Sequence, residues 1–359
     1  MSSEFGKKLK ISVFGQSHGC SIGVVIDGLP AGEKIDEAEL MHFMERRRPG
    51  ASPLSTPRIE IDRPVFISGI ENGKTCGFPV CAVIENGDKR SSDYDELKDK
   101  PRPSHADYTA FIKWRGQADM RGGGHFSGRL TAPLCIAGGI AKQILEKKGV
   151  YVGAHLSEAA GIADTPFPLF PGRELFFRIA AKSFPVIDDD KGKLMEESIA
   201  KAAAEADSVG GIIECAAVGM PAGLGDPMFE GVENRLAAAI FGIPAVKGVE
   251  FGAGFKSAGL RGSQNNDPFD IAPDGKIVTS ANNSGGILGG ITNGMPIVMR
   301  AVIKPTPSIG IPQRTVSLSQ NTETELTIKG RHDPCIALRA VPVVEAVTAA
   351  VLLDMILEA

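Results

Sequence analysis

The sequence predicts an α+β protein with antiparallel sheets, and three observations carry that prediction. Apolar segments with strand character come in adjacent groups instead of alternating regularly with helices. Two long stretches, residues 129–148 with an Ile and Leu stripe among Ala and Gly and residues 340–357 rich in Val, Ala and Leu, have the period and breadth of helices buried on several sides. The chain also carries 43 glycines and 24 prolines in 359 residues, well above the roughly 12% of average usage, spread as punctuation between ordinary apolar segments.

The elements follow in order. Residues 11–14 and 22–26 read as strands around a turn at 15–19. Residues 36–48 read as a helix, with Asp36 and Glu39 in a capping pattern, Leu40, Phe43 and Met44 as its apolar stripe, and Pro49-Gly50 as its stop. Residues 59–62, 65–68 and 79–84 read as strands, and the polar stretch 85–103, with Asn86-Gly87 and two prolines, as a long loop. Ser104 is expected to cap a short helix running to Trp114. A glycine-rich loop at 122–128 opens the helix 129–148, whose first turns tolerate Pro133 and which ends at Gly149. A helix at 193–206, a strand at 212–218, a helix at 232–241, strands at 246–251, 276–280 and 297–303, and the closing helix complete the reading.

Charge and composition narrow the function. With 39 basic and 43 acidic side chains the formal net charge is -4, which argues against coating nucleic acid or an anionic membrane. No uncharged apolar run reaches the roughly 18 residues of a membrane span. No leader sequence is recognisable, so a cytoplasmic protein is expected. The six cysteines form no Cys-x-x-Cys pair and suggest reduced, mostly buried thiols. No composition break divides the chain, and a single domain over 1–359 is expected.

Common catalytic motifs fit poorly. There is no P-loop. Gly15-Gln-Ser-His-Gly19 has the letters of a nucleophile elbow, but a strand follows where a helix is required. Four of the six histidines, His18, His105, His125 and His332, sit in loops beside Gly, Pro or Arg. Singly, each reads equally as a surface or capping residue; together they point to a pocket that moves protons near neutral pH. Their spacing does not suit a metal. Arginines gather at the same motifs. Arg46, Arg47 and Arg48 also suit a solvated helix C-terminus, but Arg58, Arg102, Arg121, Arg129, Arg331 and Arg339 beside glycine and histidine loops suit a ligand with several anionic groups. The turn-rich segments 282–290 and 304–308 offer backbone amides, a lysine and hydroxyls for a phosphorylated cofactor.

Nine of these segments, in order, are similar to one family. Gly15-Gln-Ser-His-Gly19, Arg46-Arg-Arg-Pro-Gly50, Arg102-Pro-Ser-His-Ala-Asp-Tyr108, Arg121-Gly-Gly-Gly124, Ala245-Val-Lys-Gly-Val-Glu250, Arg261-Gly-Ser-Gln264, Gly285-Gly-Ile-Leu-Gly-Gly290, Lys304-Pro-Thr306 and Gly330-Arg-His-Asp-Pro-Cys335 together resemble chorismate synthase over nearly the whole chain. The resemblance implies a β-α-β sandwich, with long central helices between antiparallel sheets, assembled as a homotetramer. It implies a carbon–oxygen lyase of the shikimate pathway, on the route to aromatic amino acids. That lyase takes 5-enolpyruvylshikimate 3-phosphate to chorismate and phosphate in a 1,4-elimination, using reduced FMN. By the same resemblance His18 protonates the leaving phosphate, His105 protonates the reduced flavin, and Asp333 relays the abstracted ring proton. Arg47, Arg58, Arg129 and Arg331 hold the substrate's anionic groups. His125, Phe126, Ser127, Ala245, Gly289, Lys304, Pro305, Thr306, Pro307, Ser308 and Arg331 fall where the family binds FMN.

Pro53, His125 and Pro244 stand where many relatives carry arginine, arginine and asparagine, and Gln16 replaces a common glutamate. Nothing in the sequence houses an NADPH-dependent reductase, so an external flavin reductase is the expected partner. The competing expectation is a flavin oxidoreductase acting on a small anionic metabolite.

Overall fold

The computed structural model describes residues 3–50, 60–87, 96–328 and 333–359. Two five-stranded antiparallel sheets face each other across a layer of helices. The first sheet runs Glu4–Phe5, Lys10–Gly15, Ser21–Asp27, Val80–Glu85, Val65–Ser68 in spatial order. The second runs Val246–Phe251, Ile297–Ile303, Gly211–Val218, Tyr151–Ala159, Ile162–Ala163.

Between the sheets lie the two helices expected from their composition, Thr131–Lys147 and Ala337–Glu358. The first packs on the N-terminal sheet, the second on the other sheet, and they pack on each other. Glu37–Glu45 flanks the first and Val232–Ile240 flanks the second. The helix Ala337–Glu358 is long and apolar enough to cross a membrane by length and composition, yet 89% of its apolar window is buried inside this fold. Small residues let the two helices approach: a Cβ built on Gly138 would sit 2.2 Å from the Ala346 Cα, so no side chain fits there.

Charges buried in this layer are paired. Glu345 receives Arg46 at 2.6 and 2.9 Å and Lys142 at 2.9 Å. Burial pushes its carboxyl up, but the two cations more than reverse that and hold it down at about 2. Asp354 near the other end of the same helix accepts the backbone amides of Lys7, Lys8 and Leu9 and the Arg235 guanidinium, fastening the N-terminal segment to the core. In the second sheet His155 is fully buried, with Nδ1 2.9 Å from Asp164 and Nε2 3.0 Å from Glu214. Burial alone would lower its pKa; the two carboxylates overcome this and raise it.

Several boundaries differ from expectation. Residues 60–62 form no strand, because Asp62 takes a left-handed backbone with φ 52° and turns its carboxylate inward. Ser104 does not cap the helix that starts at Asp107; it too has a left-handed backbone, with φ 57°, and the Asp107 carboxylate is engaged by Arg102. The helix expected from residue 193 begins at Asp189, capped by the Asp188 carboxylate on Asp190 and Lys191. The helix Arg173–Ala180 and the hairpin Gln313–Ser317/Thr322–Leu326 were not expected. Tyr151–Ala159 is buried on both faces through residues 152–156, so it lacks the alternation that marks a half-exposed strand.

Two outcomes follow. Gly138→Ala forces the central helices apart and lowers stability by about 1–3 kcal/mol, read as a fall in the denaturant midpoint at unchanged slope. His155 has a raised folded pKa, so its contribution is full below the unfolded value of about 6.5 and is lost as pH climbs through the folded one. The stability gap between wild type and His155→Gln therefore narrows as pH rises from 6 to 9.

Candidate functional site

The site is built around Gly122, Gly123 and Gly124, which have φ 62°, 86° and 55° in succession. Three left-handed residues in a row require glycine, and the close neighbours require it again. A Cβ on Gly122 would meet the His18 ring at 2.4 Å and the Ser17 hydroxyl at 2.7 Å. A Cβ on Gly123 would lie 3.5 Å from His105 Nε2 and 3.5 Å from the Ser127 side chain. The two histidines that the sequence singles out thus lie against adjacent glycines of one loop.

His18 sits in the tight turn between the strands Lys10–Gly15 and Ser21–Asp27, closed by Gly19 N–H donating to the Gln16 carbonyl at 3.0 Å. Ser17 N–H donates to Gly124 O at 3.0 Å, stitching the turn to the glycine loop. The Ser17 hydroxyl is fully buried and has no hydrogen-bond partner within the described residues. The sequence raised Ser17 only as a nucleophile; its place beside His18 makes it a donor facing the same space.

His105 has a different environment. Its Nδ1 lies 2.7 Å from Asp107 Oδ1 and 3.1 Å from Arg102 Nη2. Both are nitrogens, so the contact with Arg102 is no hydrogen bond when Nδ1 donates to Asp107. That leaves Nε2 facing Gly123. Burial drives the imidazole below its ordinary pKa; Asp107 pulls up, while Arg102 and Lys304 add to the lowering. Asp107 itself stays ionised, gripped by Arg102 through Nε at 2.7 Å and Nη2 at 2.8 Å. Arg102 also reaches Ser308 at 3.3 Å, and Lys304 Nζ donates to the Ser104 carbonyl. The segment 304–308 is thereby joined to the His105 loop. Ala245, with φ 73°, accepts the Lys304 amide at 3.0 Å.

On the other side of His18 lies a buried charge network. Arg47 donates to Asp62 Oδ2 at 2.6 Å, and Arg129 donates to Asp62 Oδ1. Burial raises the Asp62 carboxyl, but Arg47 and Arg129 more than offset it and hold it below its usual range. Arg129 Nη2 is buried without a hydrogen bond among the described residues, 3.5 Å from Glu60 in an ion pair. Arg339 links the network to Asp333, donating to its Oδ2 at 2.6 Å and to the Arg47 carbonyl at 3.0 Å.

The structure thus brings together His18, His105, Ser127, Arg47, Arg129, Asp333, Ala245, Lys304 and Ser308 through continuous contacts. Thr306 lies on the same segment as Lys304 and keeps a buried hydroxyl with no partner within the described residues. Pro305 packs by Gly210, and the Pro307 carbonyl accepts from Gln313 at 3.4 Å. His125 points elsewhere: its Nδ1 donates to the Gly15 carbonyl at 2.8 Å and its Nε2 accepts from Ser3 at 2.7 Å. Phe126 is half-exposed and packs on Trp114, with ring centroids 5.7 Å apart. Gly289 lies in a turn whose neighbour Gly290 packs on Asp226 and Gly231, without a contact to His105 among the described residues. Arg58, Arg331, His332 and Pro53 lie outside the described residues. Asp62, Glu60 and Asn86 carry no role in the sequence reading, because their spacing from the motifs says nothing about the left-handed turn and loop closure that deliver them.

The chorismate synthase family model matches residues 9–357. The chain belongs to the chorismate synthase family. It is similar to the chorismate synthase of Pyrococcus abyssi, at 50% identity over 98% of this chain and 97% of the relative. Dehalococcoides mccartyi chorismate synthase is 48% identical over 100% of the chain and 98% of its own length. A solved crystal structure of a chorismate synthase superposes with a TM-score of 0.78 at 27% identity, covering 99% of this chain and 93% of that one. The layered α+β sandwich is therefore the family's fold. The activity that comes with the family is that of a carbon–oxygen lyase of the shikimate pathway, acting with a flavin.

The glycine loop yields a direct test. Gly122→Ala drives a methyl group against the edge of the His18 ring, so turnover falls by about 10²-fold or more, with a lowered thermal midpoint and a far-ultraviolet circular dichroism spectrum that stays that of a folded chain.

Proposed function

We propose that the chain converts 5-enolpyruvylshikimate 3-phosphate to chorismate and phosphate with FMN, supplied reduced, as its flavin. The observation that carries this reading is the placement of His18 and His105 on adjacent glycines of one loop, with buried arginines on the His18 side and a lysine–hydroxyl segment on the His105 side.

The donor set fits a phosphorylated flavin. Lys304 has a neighbouring cation in Lys247, and burial together with that charge lowers its pKa, a pairing that an anion would relieve. Thr306 offers its buried, unpartnered hydroxyl, and Ser127, Ala245 and Ser308 line the same side. When bound, reduced FMN supplies an electron transiently to help expel phosphate and recovers it, so no net oxidation occurs.

The chain's own residues do the rest. Arg129, with one amino group unbonded, and Arg47 hold the substrate's anionic groups, as do Arg58 and Arg331. His18 gives a proton to the departing phosphate oxygen as the carbon–oxygen bond breaks. Asp333, oriented by Arg339, takes up the proton leaving the ring, so the elimination balances. His105, kept neutral in the free chain by burial, gains a proton when an anionic ring lies beside it, since that charge reverses the lowering. His125 ties the glycine loop to the first sheet through its two ring nitrogens, bonded to the Gly15 carbonyl and to Ser3. A homotetramer in the cytoplasm, served by an external flavin reductase, completes the proposal.

The test is anaerobic. Mixing the protein with photoreduced FMN and 5-enolpyruvylshikimate 3-phosphate yields chorismate and phosphate in equal amounts, many per flavin. Flavin oxidised in proportion to product would instead establish an oxidoreductase. His18→Ala and Asp333→Ala each lower kcat by about 10²-fold or more, and folded variants that keep full turnover would remove those roles.

A further inference from the structure

Asn86 belongs to none of the groups assigned above, yet it touches both halves of the site. It is 6% exposed and lies at the end of the strand Val80–Glu85. Its Nδ2 donates to the Gln16 carbonyl at 3.0 Å and to the Gly19 carbonyl at 3.2 Å. Those two carbonyls bracket Ser17 and His18. Its Oδ1 accepts from Arg129 Nε at 3.2 Å, and its backbone N–H donates to the Cys20 carbonyl at 3.1 Å. One side chain therefore closes the histidine turn from below and fixes the guanidinium that lies between Asp62 and Glu60.

From this geometry we infer that Asn86 is the positioning residue of the proton donor: it ties the placement of His18 to the placement of the anion-holding Arg129. The carboxamide is the one side chain of this length with two N–H donors and a carbonyl acceptor. Aspartate is nearly the same shape but presents oxygen to both carbonyls. Alanine leaves the turn uncapped and Arg129 Nε without its acceptor. Arg47 and Arg129 keep their carboxylate partners in both variants, so the grip on the substrate is disturbed less than the turn that carries His18, which loses both of its side-chain hydrogen bonds. The loss therefore falls on the step in which His18 must meet the leaving oxygen, and misplacement by about 1 Å suffices to cost about 10²-fold.

The inference rests on the lyase reading, and the experiment separates the two. Steady-state kinetics with reduced FMN and 5-enolpyruvylshikimate 3-phosphate are compared for wild type, Asn86→Ala and Asn86→Asp, with the thermal midpoint of each. Expected are a kcat lowered by about 10²-fold in Asn86→Ala, a larger loss in Asn86→Asp, and a KM for the alanine variant within about threefold of wild type. A folded Asn86→Ala with unchanged kcat, or a loss confined to KM, overturns the inference and leaves the lyase reading standing. If the alanine variant does not fold, Asn86→Asp decides alone: wild-type kcat in that variant overturns the inference. A wild type that forms no chorismate overturns both.

Discussion

Everything at this site depends on a stretch of backbone that admits no side chain. Gly122, Gly123 and Gly124 hold three left-handed conformations in succession, and two histidines lie against the first two of them. A loop built from ordinary residues would need its own side chains to be packed somewhere, and those side chains would fill the space that the reaction needs. Bare backbone solves both problems. It also sets the two rings against adjacent residues of one backbone, so the conformation of the loop bears on the placement of both.

The second constraint is electrostatic. Among the described residues Arg47 and Arg129 are buried beside Asp62 and Glu60, and the partly buried Arg339 pairs with Asp333, so each of these guanidiniums has a carboxylate beside it. An unpaired set of such guanidiniums would be too costly to fold around. A paired set can take a dianion by redistributing bonds it already makes, and the unbonded amino group of Arg129 marks where that begins. Arg339 has a further effect. It holds both Asp333 and the Arg47 carbonyl, so one guanidinium ties that carboxylate to the chain just past the helix Glu37–Glu45.

Much of this was legible beforehand, and the reasons are physical. The two central helices announce themselves because burial on all sides demands small and β-branched residues over many turns, and the capping of Glu37–Glu45 by Asp36 is a local matter of two hydrogen bonds. The histidines were legible as motifs since glycine and proline flanked them. What the sequence could not reveal was pairing at a distance. Asp62 meets Arg129 across 67 positions, and Asn86 meets Gln16 across 70. No local pattern encodes such a meeting; it results from strand order in the first sheet. The partners of His125 were hidden for a related reason: Gly15 and Ser3 lie on a neighbouring strand and the chain before it, and only the folded sheet brings them within reach.

The position of Asn86 has a chemical consequence over time. It is followed by Gly87, and an asparagine before glycine is the most perishable of dipeptides, since the unhindered next nitrogen can attack the side-chain amide and release ammonia. Asparagine is sparingly used where proteins must last at high temperature. Here both partners of that attack are restrained: the carboxamide is bonded to two carbonyls and a guanidinium, and the Gly87 nitrogen donates to Glu60 at 3.4 Å. The folded site thus protects its own weakest bond. Where the attack does run it leaves a cyclic imide, which water opens to aspartate or isoaspartate in the chain beside the histidine turn.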